Sequence, residues 1–153
     1  MNRRLFSLLL LAPSALPLTG CGITSMTALP MPAPNLTGSW VPMSAELGGR
    51  YFDPRNFRGG VLEVSDSNGY AFAGDKGSIT LLPGGAPPYK MDILGKQGPN
   101  AGRTILAVYA MDGEELTVCY QLARDGARPE SLMSPADSQI LLVRYKRLVP
   151  LRG

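Results

Sequence analysis

From Leu36 onward, no window of the chain keeps apolar residues at i, i+3, i+4 and i+7 for three helical turns. Short apolar or alternating runs recur instead, separated by clusters of turn-forming residues. The 18 glycines and 14 prolines are spread along the chain and punctuate these runs. The pattern predicts an all-β fold with eight strands, over residues 36–47, 61–65, 69–73, 78–82, 89–94, 103–111, 115–122 and 139–147. Asp66-Ser67-Asn68-Gly69 and Gly74-Asp75-Lys76-Gly77 read as turns, since Asn and Gly tolerate positive φ. Asp112-Gly113-Glu114 joins two clear strands and is the strongest hairpin signal. The connections over 48–60 and 123–138 are longer, and loops of such length inside a compact domain carry function or are disordered. An eight-strand meander left open would expose two unpaired edges, and closure removes both. The expected architecture is therefore a small antiparallel up-and-down β-barrel, with a two-sheet sandwich as the alternative.

The N-terminus reads as an address. Arg3 and Arg4 give a short positive segment, and residues 5–11 are apolar except for Ser7. Leu18-Thr19-Gly20-Cys21 follows, with small residues at the cut. The apolar run is too short to cross a bilayer core of about 30 Å as a helix. The tetrapeptide resembles the lipobox of bacterial lipoproteins. The resemblance implies cleavage before Cys21, recognition of Leu18, Thr19 and Gly20 by the signal peptidase, and a lipid on the Cys21 thiol. Gly22 stands where an inner-membrane retention signal would have Asp, which points to the outer membrane of the cell envelope. The expected organisation is a signal peptide over 1–20, a tether over 21–35 and a barrel domain over 36–149. Pro30, Pro32 and Pro34 make the tether a semi-rigid spacer without charge.

Cleavage would take Lys plus Arg from 15 to 13 against 12 Asp plus Glu. A chain so close to neutral gives no charge-based case for a nucleic-acid partner. With Cys21 lipidated, Cys119 is the one remaining cysteine, so a disulfide scaffold is excluded and an apolar core must hold the fold.

Histidine is absent, which rules out Ser-His-Asp and Cys-His sites within the chain. Cys119 reads as a buried thiol in a strand, or as a nucleophile if a cation lowers its pKa. Glu63, Asp112, Glu114 and Glu115 could pair for acid–base work, but the last three sit at a turn. Asp92 lies between Met91 and Ile93 inside a strand, where a carboxylate needs a partner. Asp92, Arg128 and Tyr109 are therefore grouped as a structural ion pair or a ligand contact. The turn at Asp66 lacks the glycine and glutamate spacing of a calcium loop, and Gly84-Gly85 lacks the rest of a phosphate loop. No metal and no cofactor is expected.

Alternation places Leu141, Val143, Tyr145 and Arg147 on one face of the last strand, and Ile140, Leu142, Arg144 and Lys146 on the other. Leu106 and Val108, with Leu116, Val118, Tyr120 and Leu122, form coherent stripes in the two strands before it. Such stripes line either an apolar ligand cavity or a filled core.

Gly38-Ser39-Trp40 opens the first strand. Lipocalins have a Gly-x-Trp there, its indole closing the bottom of the barrel under a basic side chain, for which Arg147 at the end of the last strand is the candidate. Residues 36–147 resemble more closely an uncharacterised lipocalin-like domain family found chiefly in planctomycete bacteria. The resemblance is carried by Leu36-Thr37-Gly38-Ser39-Trp40, by Ser44-Ala45-Glu46-Leu47, by Lys90-Met91-Asp92-Ile93 and by the run Gly98 to Thr104. Its most specific part is Asp112-Gly113-Glu114-Glu115-Leu116-Thr117-Val118-Cys119 followed by Arg128-Pro129, and the segment from Arg50 to Gly60 departs from the pattern. The resemblance implies a barrel and no particular activity. The functional expectation is a lipid-anchored envelope barrel without enzymatic activity that binds a small apolar ligand. A packed module that contacts an envelope protein or the cell wall is the second reading, and an enzyme is the third.

Overall fold

A computed structural model describes residues 32–151. Among them nine strands follow one another: β1 (Gly38–Leu47), β2 (Arg50–Phe52), β3 (Leu62–Val64), β4 (Gly69–Phe72), β5 (Asp75–Leu81), β6 (Tyr89–Gln97), β7 (Thr104–Asp112), β8 (Glu115–Gln121) and β9 (Ile140–Arg147). Each strand from β3 to β8 pairs antiparallel with the next. β1 pairs with β3 through Gly38–Trp40 on one side and with β9 over Trp40–Leu47 on the other. Eight strands thus close into an antiparallel barrel, and no sandwich forms. β2 is an addition to it, folding back onto Ala45–Leu47.

The barrel is apolar inside and charged outside. Trp40, Ala45, Met91, Ile93, Ile105 and Val118 belong to the main core, while Lys76, Lys90, Lys96, Arg144 and Lys146 are exposed on the strands. A membrane-spanning barrel has the reverse pattern. Among the described residues no helix is long and apolar enough to cross a membrane.

Trp40 and Ala45 both face inward although they are five positions apart. Strict alternation forbids that. The register of β1 against β9 slips between Pro42 and Ser44, leaving Met43 bulged and exposed. Pro42 has no N–H to give to a ladder, and a bulge is where a strand interior accommodates it.

Two readings of the sequence shift here. The turn expected over 74–77 is the two-residue turn Ala73-Gly74, both at positive φ, with Phe72 opposite Asp75. The stripe Leu106–Val108 does not face the interior. Ile105, Ala107 and Tyr109 do, whereas Val108 joins Cys119 and Leu142 in a second apolar cluster on the outside of the barrel. The long connection between β8 and β9 covers that cluster, contributing Leu132. Both faces of β7 are apolar because both are covered.

Candidate ligand cavity

The strands carry the chain between two unlike ends. At one end lie the start of β1, the β7–β8 turn and the end of β9, and this end is closed. The indole Nε1 of Trp40 donates to the Leu36 carbonyl at 2.9 Å. The guanidinium carbon of Arg147 stands 4.2 Å from the centre of the indole ring. Arg147 Nη1 donates to the Thr37 carbonyl at 3.0 Å, and its Nε meets Glu114 at 3.0 Å. Gly38 has φ +135°, and a Cβ there would lie 2.6 Å from Arg147 Nη1, so a side chain at this position would meet both backbone strain and a cation. Gly38, Trp40 and Arg147 thus meet in one place. Residues assigned to the tether by sequence also dock here: Ala33 packs on the core, and the Pro34 carbonyl accepts the Tyr109 hydroxyl at 3.0 Å.

Above this floor is a partly open cavity of about 210 Å3. Leu36 lies at its closed end, Met91, Ile93, Ile105 and Val118 along its wall, and Phe57, Ala73, Asp75, Asn100 and Leu122 at the mouth. The long connection expected over residues 48–60 supplies the partial cover. Asp53 caps the 3-10 turn Pro54–Phe57 by accepting from the Arg55 N–H. The turn folds Phe57 inward, where its ring packs 5.1 Å from that of Phe72 and 5.3 Å from that of Phe52. A groove of about 360 Å3 on the outer face between Glu63, Lys76 and Lys96 is larger but more open to solvent, and it lies outside the barrel.

Few polar groups meet the cavity. Asp75 at the mouth accepts the Asn100 backbone N–H at 2.9 Å and its side-chain amide as well, so both carboxylate oxygens are engaged. The stretch from Gly98 to Thr104 is therefore the β6–β7 connection that holds the mouth together. Arg103, next to it, donates to the Leu122 carbonyl, and its buried Nε has no hydrogen-bond partner among the described residues. Deeper in, the hydroxyls of Tyr120 and Tyr145 meet at 2.8 Å. Desolvation pushes both phenols far above their ordinary pKa, so both stay neutral. The sequence reading placed both tyrosines on inward stripes and found no contact between them.

The grouping of Asp92, Arg128 and Tyr109 divides. Asp92 points outward from β6 and forms an ion pair with Arg128. The same guanidinium donates to the carbonyls of Met91 and Ala107 at 2.7 and 2.9 Å, pinning the β8–β9 connection to the barrel wall. Tyr109 has the opposite parity and is buried inside, its ring centre 5.5 Å from that of Tyr89. Burial pushes its hydroxyl up to about 12. It contacts neither partner of the ion pair because a strand separates the two faces.

Cys119 is fully buried in the outer cluster, and its thiol donates to the Met133 carbonyl at 3.6 Å. Desolvation pushes it up to about 11, the opposite of what a nucleophile needs. Among the described residues no group of three His, Cys, Asp or Glu side chains could hold a metal. Cys21, Leu18, Thr19 and Gly20 lie outside the described residues. No family model, no curated protein and no solved structure matches the chain.

Proposed function

We propose that the protein is a lipid-anchored β-barrel of the bacterial cell envelope that holds a small apolar molecule in its interior and performs no reaction on it. The observation that carries this reading is the apolar cavity of about 210 Å3. A void of about 150 Å3 is enough to bind benzene. Pockets for drug-sized ligands start at about 300 Å3. The cavity lies between these sizes, so its occupant is a single ring with a short substituent or a comparable chain. The barrel also fits the lipocalin-like resemblance of residues 36–147.

Native mass spectrometry of the full-length product, extracted from its host membrane, should show a mass excess that denaturation removes. Toluene added to ligand-free protein should bind with a heat that calorimetry reads, in the cavity walled by Met91, Ile93, Ile105 and Val118. If no mass is retained and toluene does not bind, the interior holds nothing and the packed interaction module takes its place.

The anchor rests on the charge, apolar run and Leu18-Thr19-Gly20-Cys21 order of the N-terminus. Cys21→Ser should yield exported protein that is unprocessed or released into the aqueous fraction. A serine variant that is still processed and fully membrane-bound would refute the lipid on this residue. Residues 33–36 pack at the closed end of the barrel, so in this reading the mouth opens away from the anchored segment.

A further inference from the structure

We propose that the cavity is selective for a neutral apolar molecule with one hydrogen-bond acceptor, such as an aryl ketone or ester, received by the hydroxyl pair Tyr120–Tyr145. The inference rests on the cavity reading above and adds the chemical class of the occupant.

The argument begins with a count of hydrogens. Tyr120 lies opposite Leu141, and Tyr145 lies opposite Leu116, so the two are four rungs apart on neighbouring strands. Their rings extend toward each other along the barrel until the hydroxyls meet at 2.8 Å. Two hydroxyls carry two hydrogens, and their mutual bond uses one. Neither hydroxyl makes a second hydrogen bond among the described residues. One O–H donor is therefore left over in the interior of the barrel; Tyr120 lines the cavity and Tyr145 does not, so this donor meets a ligand when Tyr145 donates to Tyr120 and leaves the Tyr120 hydrogen free. A buried donor without an acceptor is costly, and an acceptor brought by a ligand removes that cost.

Charge narrows the class. Neither lysine nor arginine lines the cavity, and its one carboxylate, Asp75, is occupied by Asn100. An anionic ligand would lose its hydration without gaining a counter-charge. The phenols cannot supply one, because a phenol is neutral or anionic and never cationic, and burial keeps both in the neutral donor form. Arg103 has an unpartnered Nε, but it does not line the cavity. A neutral carbonyl or ether oxygen is the acceptor that remains. Size narrows it again, since about 210 Å3 admits one ring and a short branch.

Acetophenone and isopropylbenzene are nearly matched in shape and differ in the acceptor, and their affinities for the full chain can be compared by calorimetry. Removing both hydroxyls, in Tyr120→Phe combined with Tyr145→Phe, should weaken acetophenone about 5- to 10-fold, the worth of one hydrogen bond, and leave isopropylbenzene unchanged or tighter. Tyr145→Phe alone frees the Tyr120 hydrogen, so acetophenone should bind as well or better. The carbonyl stretch of bound acetophenone should lie at lower frequency in the wild type than in the double variant. Equal changes for the two probes, or a stretch that does not move, would overturn the acceptor inference and leave the cavity reading intact. Failure of both probes to bind the wild type would overturn both. Benzoate binding more tightly than acetophenone would overturn the neutral class.

Discussion

Trp40→Ala will cost the fold about 3–5 kcal/mol, the range for removing a large aromatic side chain from a packed site. Trp40 is completely buried, and its ring is gripped from two directions, by the Leu36 carbonyl on its nitrogen and by Arg147 on its face. A domain of this size has only about 5–15 kcal/mol of stability, so the variant will be marginal. Arg147→Ala should cost less, about 1–2 kcal/mol, because the guanidinium is partly hydrated and its stacking contributes about 0.5–2 kcal/mol. It should also move the tryptophan emission to the red by opening one face of the ring to water. Urea unfolding of the two variants tests both values. A Trp40→Ala cost under about 1 kcal/mol, or equal costs for the two, would mean that this end of the barrel does not depend on the indole.

Arg128→Ala will loosen the outer side of the barrel, at a cost of about 2–3 kcal/mol for the charge-assisted hydrogen bonds lost to Met91, Ala107 and Asp92. Asp92→Asn should be milder, because the guanidinium keeps both carbonyls and the Asp92 side chain is already partly in water. The specific readout is Cys119, which lies beneath the segment that Arg128 pins. In the wild type a thiol reagent should react slowly even at pH 9, where a free thiol is largely ionised, because burial holds this one up to about 11. Lowering the opening free energy of the cover by about 2 kcal/mol should speed labelling roughly 30-fold. Labelling that is fast in the wild type, or unaffected by Arg128→Ala, would show that the connection does not shield the thiol.

The same burial makes the fold sensitive to base. Cys119, Tyr109, Tyr120 and Tyr145 all have raised pKa values in the folded protein. The folded chain therefore holds their protons more tightly than the unfolded chain does. Their contribution is complete below the unfolded values, about 8.5 for the thiol and about 10 for the phenols, and falls as pH rises beyond them.

The barrel was legible because its parts repeat: alternation and turn chemistry recur often enough that one misplaced turn does not change the topology. All eight expected strands occur, with shifted ends. β2 was missed since three residues flanked by glycines and charges, with Tyr51 exposed, show no alternation. The inward face of β7 was misread since a sequence cannot say that a connection will return to cover the outside of a strand. Asp92 was recognisable as a carboxylate in need of a partner, and Arg128 entered through the Arg128-Pro129 pair of the resemblance. Tyr109 was drawn into their company because parity in one strand says nothing of which face its neighbour's carboxylate takes. The Tyr120–Tyr145 contact was out of reach for a different reason. It depends on the register between β8 and β9, which sets the two rings four rungs apart and within reach of each other, and not on spacing in either strand.

Both ends of the described chain leave the barrel on the same side, from two strands that are hydrogen-bonded neighbours, and the Leu148 N–H donates to the Ser39 carbonyl at 2.8 Å at their junction. Stretching the molecule between these ends would peel β9 from β1 like a zipper. The load would fall first on that bond and on the Trp40–Arg147 rung, then on each rung in turn, never on the whole ladder together. The fold should accordingly yield to small forces applied across its two ends, however well its core resists heat. A pull through the N-terminus alone, balanced by drag on the body of the barrel, would leave the seam unloaded.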